Sequence, residues 1–278
     1  MAPEISTPRP YDEARLARAS KLVQASYAAL NLALLTHYAL SRDLYHTGLA
    51  LGTLALFPVM HVFYRLTRLK RVHQMDIFIY IFTLIAYTGG ELLGGYARLR
   101  AYDKLAHMLS GSFVYLLAHP LFYFLKANHA VEKSDRNLLM VFCTATSLCV
   151  AGLWEIGEYF LSMLTGIDMQ RVATMGIHDS MQDMIVCLIG TVALLPSTSR
   201  YFRRGVPGIF MRPFDEFLHK NAIFTSHLRD AYSKPHRGAR RRKKSGLDRF
   251  GGKGHSFSQP APNAAIAAAH SAAQIPLS

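Results

Sequence analysis

Apolar residues fall in six long blocks separated by short polar or turn-rich breaks, and this blockwise pattern governs the reading of the chain. A bilayer core requires about 17–25 mainly apolar residues per helical crossing. Blocks of that length lie near Lys21–Leu40, Gly48–Tyr64, Met75–Gly95, Ala106–Leu125, Leu138–Leu164 and Met181–Pro196. The breaks are Ser41-Arg42-Asp43, Arg65 to Gln74, Arg98 to Lys104, Lys126 to Asn137 and Thr165 to Asp179. Only helices and closed barrels satisfy the backbone in lipid, and blocks this long and this apolar are helices. Pro58 and Pro120 fall inside blocks, where neighbouring helices can satisfy the carbonyls that proline frees. The expected fold is all-α: a polytopic transmembrane bundle of about six spans without an internal repeat, followed by a basic C-terminal tail.

Composition agrees, since 51% hydrophobic against 18% charged residues is too apolar for an ordinary soluble domain. The three cysteines, Cys143, Cys149 and Cys187, lie in apolar blocks and show neither a disulfide framework nor metal-type spacing. The first twenty residues lack the short apolar region and cleavage site of a secretory signal, so the first span is expected to remain as an anchor. Charge then orients the bundle. Arg9, Arg15, Arg18 and Lys21 precede the first span, Arg65, Arg68, Lys70 and Arg71 fill the second break, and Lys126, Lys133 and Arg136 the fourth. The odd breaks are poorer in basic residues, although the third holds Arg98, Arg100 and Lys104. The positive-inside rule therefore places both termini in the cytoplasm. The domains expected are a cytoplasmic segment 1–19, a six-span membrane domain 20–198 and a largely disordered cytoplasmic tail 199–278.

That topology gathers chemistry at one end. Glu91, Asp103, His107, Glu155, Glu158, His178, Asp179 and Asp183 all fall towards the extracytoplasmic leaflet, and ionisable residues at membrane depth are expensive enough to suggest function. Asp103 and His107 are four apart, Glu155 and Glu158 three apart, Asp179 and Asp183 four apart, so each pair shares a helix face. Helical bundles build carboxylate-rich metal sites from such pairs. Asp103, His107, Asp179 and Asp183 are the candidate ligands, and Glu155 and Glu158 the candidate catalytic bases. An oxygen-rich set with imidazole suits a divalent Mg, Mn, Zn or Fe ion. The alternative stays open that Asp103 and Asp179 cap helices and that the carboxylates sit at the interface paired with Arg98, Arg100 or Arg171. His37, His46, His61 and His119 read as hydrogen-bonded core histidines.

Y-D-K-L-A-H-M-L-S-G (Tyr102–Gly111), W-E-I-G-E-Y (Trp154–Tyr159) and D-S-M-Q-D-M (Asp179–Met184), followed by Gly190, resemble three signature blocks of the YjdF-type bacterial inner-membrane family, over roughly residues 20–198. A more distant similarity is to VanZ-like membrane proteins. The resemblance implies a fold and a site at Asp103, His107, Glu155, Glu158, Asp179 and Asp183, and no reaction. The chain departs from that family's pattern at Gly176 and His178, which weakens any role for His178.

From Arg200 onward there are 15 Lys and Arg against 4 Asp and Glu, including the run Arg240-Arg241-Arg242-Lys243-Lys244. Phe210 to Leu228 is expected to form one short surface helix, and the remainder has too little patterned apolar content to fold. Such a tail is attracted to anionic headgroups; no nucleic-acid-binding module accompanies the charges, so no nucleic acid is expected. Two function classes remain. One is a metal-dependent hydrolase or transferase acting on lipid-type headgroups. The other is non-enzymatic, a proton- or cation-coupled transporter or a membrane assembly factor.

Overall fold

The computed structural model describes residues 12–127 and 129–221, and among these the chain is helical without a strand. Helix α1 (Glu13–Leu40) starts at Asp12, whose carboxylate accepts from the Arg15 amide at 2.9 Å. The second traverse is two helices, α2 (Leu44–Leu54) and α3 (Leu56–Thr67), broken at Ala55. Pro58 explains the break, because it has no amide to donate to Leu54 one turn earlier. Asp43 caps α2 through the His46 amide, a bond that holds its carboxyl below the usual carboxylate range. Helix α4 (His73–Thr83) widens into a π-helical stretch over Leu84–Leu92. After the short α5 (Gly95–Arg98), α6 (Arg100–Leu125) and α7 (Arg136–Thr165) return as unbroken helices. The short α8 (Val172–Met175) precedes α9 (His178–Val192) and α10 (Leu195–Arg204). A last helix, α11, covers residues 212–221.

Five of these traverses are long and apolar enough to cross a membrane: Leu44–Thr67, His73–Leu92, Ala101–Leu125, Lys133–Thr165 and His178–Arg204. The first expected span is not among them. Gln24, Asn31, Thr36 and His37 dilute the apolarity of α1. Its path still runs the length of the bundle: Glu13 lies 3.5 Å from Lys220 at one end, and the Tyr38 hydroxyl bonds the Leu92 carbonyl at the other. Its polar residues are paired inward, with Asn31 accepting from Thr88 at 3.0 Å and Tyr27 donating to the Thr53 carbonyl at 2.9 Å.

The centre of the fold is α6, packed between α7 and α9. Helices α6 and α9 run parallel and touch backbone to backbone at two glycines. A methyl group at Gly111 would collide with the Cys187 carbonyl, and one at Gly190 with the Met108 carbonyl. Small residues let helices approach this closely in lipid, and hydroxyls then bridge them. Ser112 donates to the Gly190 carbonyl (2.8 Å), Ser147 of α7 to the Gly111 carbonyl (2.9 Å), and Ser147 and Thr191 share a further bond of 2.8 Å.

The other end of the bundle is closed by α11. Phe214 and Phe217 insert into the core beside Tyr123 and Tyr201, so this helix is buried where a surface helix was expected. Glu216, fully buried, accepts from the amides of His73 and Gln74 at 2.9 Å each, which caps α4 from outside its own sequence, and Lys220 neutralises it at 2.8 Å. The folded unit therefore continues past the last traverse. Of the expected segment 1–19, residues 1–11 lie outside the described residues and α1 takes up the rest from Glu13; of the expected tail 199–278, residues 222–278, with the Arg240–Lys244 run, lie outside them too.

If the glycine contact sets the α6–α9 distance, Gly190→Ala should lower unfolding stability in detergent by about 1–3 kcal/mol, the usual cost of forcing atoms into a filled space. Gly152→Ala on α7, which faces open space, should cost nothing or stabilise. Thermal unfolding followed through the single tryptophan, Trp154, distinguishes the two.

Candidate functional site

Because α6 and α9 are parallel and α7 is antiparallel, the start of α6, the start of α9 and the last turns of α7 meet at one end. Asp103, Lys104 and His107 come from α6, Asp179 and Asp183 from α9, and Glu155 and Glu158 from α7. Oxygen or nitrogen atoms of Asp103, His107 and Asp183 lie within 4.8 Å of one another, close enough to hold one ion. His107 Nε2 is 3.6 Å from Asp103 Oδ1 and 3.7 Å from Asp183 Oδ1.

Lys104 occupies the middle of the group. Its Nζ donates to Asp179 Oδ1 at 2.7 Å and to Asp183 Oδ1 at 2.8 Å, and lies 3.5 Å from Asp103 Oδ2. Both aspartate side chains are only 4% exposed. Buried carboxylates without a counter-charge would be strongly destabilising, so this ammonium is what permits them. Asp179 faces Lys104, and of the four expected ligands it is the one outside the three-residue group.

The α7–α9 connection folds back over the cluster. The Asp168 carboxylate accepts from the amides of Val172 (2.8 Å) and Ala173 (2.9 Å), fixing a turn in which Arg171 takes a left-handed conformation, φ +51°. Arg171 is thereby brought to 3.9 Å from Asp103 and 4.0 Å from Asp179. Its neighbour Gln170 donates to the Glu155 carbonyl at 2.9 Å and reaches the Glu155 carboxylate at 3.4 Å. Glu158 accepts from Trp154 Nε1 at 2.8 Å and feels the charges of Glu155, Asp103 and Asp183.

Neither Asp103 nor Asp179 caps a helix: α6 and α9 begin at Arg100 and His178 without a side-chain cap. The pairing partners are Lys104 and Arg171. His178 and Glu91 are exposed and are not among the three residues whose ligand atoms converge. Tyr96, on α5, bonds the Ala86 carbonyl at 2.7 Å. Burial pushes its phenol up, and the charges of Asp103 and Glu91 add to the effect. Of the four histidines read as core, His119 is fully buried and bonded to the Tyr115 carbonyl, His46 is half-buried against Asp43, and His37 and His61 are exposed.

A family described as "Predicted membrane protein (DUF2238)" matches residues 19–204. The chain belongs to that family. The DUF2238 match covers every traverse and every residue of the cluster, stops at the last residue of α10, and leaves α11 outside. Its description names no reaction; the match bears out the expected membrane family of uncharacterised function, and the description gives neither of the two names that the motifs suggested. Nothing matches among curated proteins or among solved structures.

Lys104 is the residue that motif reading passes over. It stands inside D-K-L-A-H, yet counts there only as a basic residue in a short break. Its partners are 75 and 79 residues away, so nothing local announces the pairing. Gln170 has no signal at all.

Lys104→Met should destabilise the folded protein by about 3 kcal/mol, the lower end of the range for orphaning a buried ion-pair partner, because Lys104 keeps some solvent contact. Adding Asp179→Asn and Asp183→Asn to that variant should recover most of the loss. A loss that the added substitutions leave untouched would show that the ammonium acts through packing instead. Chemical unfolding of the three proteins supplies the measurement.

Proposed function

We propose that this integral membrane protein binds a divalent cation at Asp103, His107 and Asp183 and uses it in hydrolysis or transfer at a phosphate-bearing lipid headgroup. The observation that carries the reading is the convergence of two carboxylates and an imidazole from two helices within reach of one ion, inside a group whose carboxylates outnumber its cations. A bound Mg²⁺, Mn²⁺, Zn²⁺ or Fe²⁺ would supply Lewis acidity towards a phosphate oxygen and lower the pKa of a bound water. Asp183 is then shared between the ion and Lys104, which tempers the negative charge. Arg171, at 3.9 Å from Asp103 and 4.0 Å from Asp179, remains available to a phosphate oxygen. Glu158, facing Asp103 and Asp183, is the better placed general base. Glu155, tied to Gln170, orients the covering loop.

Several features support the placement in the membrane. Exposed Trp154 and Tyr159 stand near the cluster, as aromatic residues do at a headgroup boundary. Arg65, Arg68, Lys70, Arg203, Arg204 and Arg212 are exposed towards the opposite end. We assign that basic end to the cytoplasm of a bacterial inner membrane, with residues 1–19 and the tail beyond α11 on the same side and in contact with anionic headgroups. A second reading is favoured by one observation. Lys104 already places a cation among the carboxylates, and an ammonium that releases its aspartates to an incoming ion is a device for proton- or cation-coupled transport.

Metal content of the purified protein in detergent tests the first reading. Close to one divalent ion per chain is expected in wild type by plasma mass spectrometry, and none in His107→Ala or Asp183→Asn. A folded wild type that retains no metal after dialysis against each of the four ions would contradict it.

A further inference from the structure

A second polar system lies in the other half of the bundle, where α1, α2 and α4 meet, and it shares no residue with the carboxylate cluster. Along α4 and its π-helical extension, Asp76, Tyr80, Thr83, Tyr87 and Glu91 recur once per turn, from the first turn of the traverse to its last. Asp76 is completely buried at the basic end, bound by the Tyr64 hydroxyl at 2.9 Å and by Arg71, with His73 also facing it. Glu91 is exposed at the opposite end, with Tyr87 and Tyr96 facing it.

Polar groups mark the space between them. The Tyr80 side chain is 1% exposed, and no described residue bonds its hydroxyl. Buried polar atoms are nearly always partnered, and one that protein does not satisfy, in a polar setting, points to water. The Tyr80 ring stands edge-on to Tyr27 at 5.1 Å. The Tyr27 hydroxyl is directed at the Thr53 carbonyl, 2.9 Å away. Thr53, in turn, lines a groove with Gly52, Thr83 and Tyr87, and the missing side chain of Gly52 leaves space against the Tyr87 hydroxyl. Two backbone irregularities flank this groove, the α2–α3 break at Ala55 and the π-helical turns from Leu84. Thr53, Tyr27 and Tyr80 are buried here, while Tyr87 is exposed towards the Glu91 end and the apolar Leu56 and Val59 complete the groove; an apolar traverse has no packing reason to bury hydroxyls at its centre.

We propose that this face is a proton path through the membrane, running from Glu91 past Tyr87, Thr53, Tyr27 and Tyr80 to Asp76. Each hydroxyl or intervening water takes a proton on its oxygen and releases its own to the next. One proton therefore enters at Glu91, and Asp76 passes one to the partly exposed His73 that faces it, which releases it at the basic end, with only O–H and N–H bonds broken and formed. No group is oxidised or reduced, and the electrochemical proton gradient supplies the direction. Tyr27 and Thr53 act as the gate, since in this conformation their hydroxyl protons are committed to the Thr53 and Ala50 carbonyls and must turn along the path to complete the line.

The test is proton flux into proteoliposomes carrying full-length protein, with an interior pH dye and a potassium–valinomycin potential. Wild type should acidify the lumen faster than protein-free vesicles, and Tyr80→Phe should reduce that excess at least tenfold while unfolding no earlier than wild type, because it deletes only an unbonded hydroxyl. Asp76→Asn should do the same if it folds. Tyr115→Phe, on α6, should retain wild-type flux, and Tyr80→Phe should keep its bound metal, which keeps this path separable from the metal site. A wild-type flux equal to that of empty vesicles, or a Tyr80→Phe variant that conducts as wild type does, would overturn the proposal.

Discussion

The close crossing of α6 and α9 is the constraint from which the rest follows. With hydrogen at Gly111 and Gly190, the two backbones meet and the helices stay parallel and in register over several turns. That register sets Lys104 opposite Asp179 and Asp183 at one end and Tyr115 and His119 beside Thr198 at the other. A larger side chain at either glycine would move the helix starts apart, and the Lys104 ion pairs, held at 2.7 and 2.8 Å, would be the first to break. The hydroxyls of Ser112, Ser147 and Thr191 add direction to the crossing, since each bonds a carbonyl of a neighbouring helix or another hydroxyl.

Both ends of the bundle solve the same electrostatic problem in different ways. A carboxylate out of water needs donors and a counter-charge. Glu216 has two backbone amides and Lys220; Asp76 has Tyr64 and Arg71; Asp179 and Asp183 share Lys104. At the basic end both buried carboxylates are matched, Asp76 by Tyr64 and Arg71 and Glu216 by two amides and Lys220, and the Glu216 bonds clamp α11 to the start of α4. At the acidic end Asp103, Glu155 and Glu158 bring more negative charge than Lys104 and Arg171 balance, and three ligand atoms converge. That imbalance separates a site from a clamp, and it is why the cation is proposed there and not at Asp76 or Glu216.

The long apolar blocks made five traverses legible, because span length and apolarity are properties of local sequence. The pairing of ionisable residues at helical spacing made the meeting of α6, α7 and α9 legible too: Asp103 with His107, and Asp179 with Asp183, point inward from the faces that their spacing implies. What could not be read were contacts between distant parts. Lys104 looks like a loop cation until α9 is placed beside it. Residues 212–221 look like part of a basic tail, since Arg212 and Lys220 mask a face carrying Phe214 and Phe217. The π-helical turn around Gly89-Gly90 depends on the Tyr96 and Tyr102 rings filling the space that two glycines leave, and no local pattern encodes that. Helix α1 shows the reverse: its path is that of a span, while Gln24, Asn31, Thr36 and His37, of which Asn31 is paired with Thr88 of the π-helical turns, lower its apolarity below that of its neighbours.

Asp103, His107 and Asp183 are proposed to form one coordination sphere. Pulsed electron paramagnetic resonance on protein loaded with Mn²⁺ tests it directly, because an imidazole bound to the ion imprints a nitrogen modulation on its echo. That modulation is expected in wild type, from one nitrogen, whereas His107→Ala should hold no Mn²⁺ after dialysis and give no such echo. An echo modulated by water protons alone in wild type would contradict it, leaving the carboxylates as partners of Lys104 and Arg171 and nothing more.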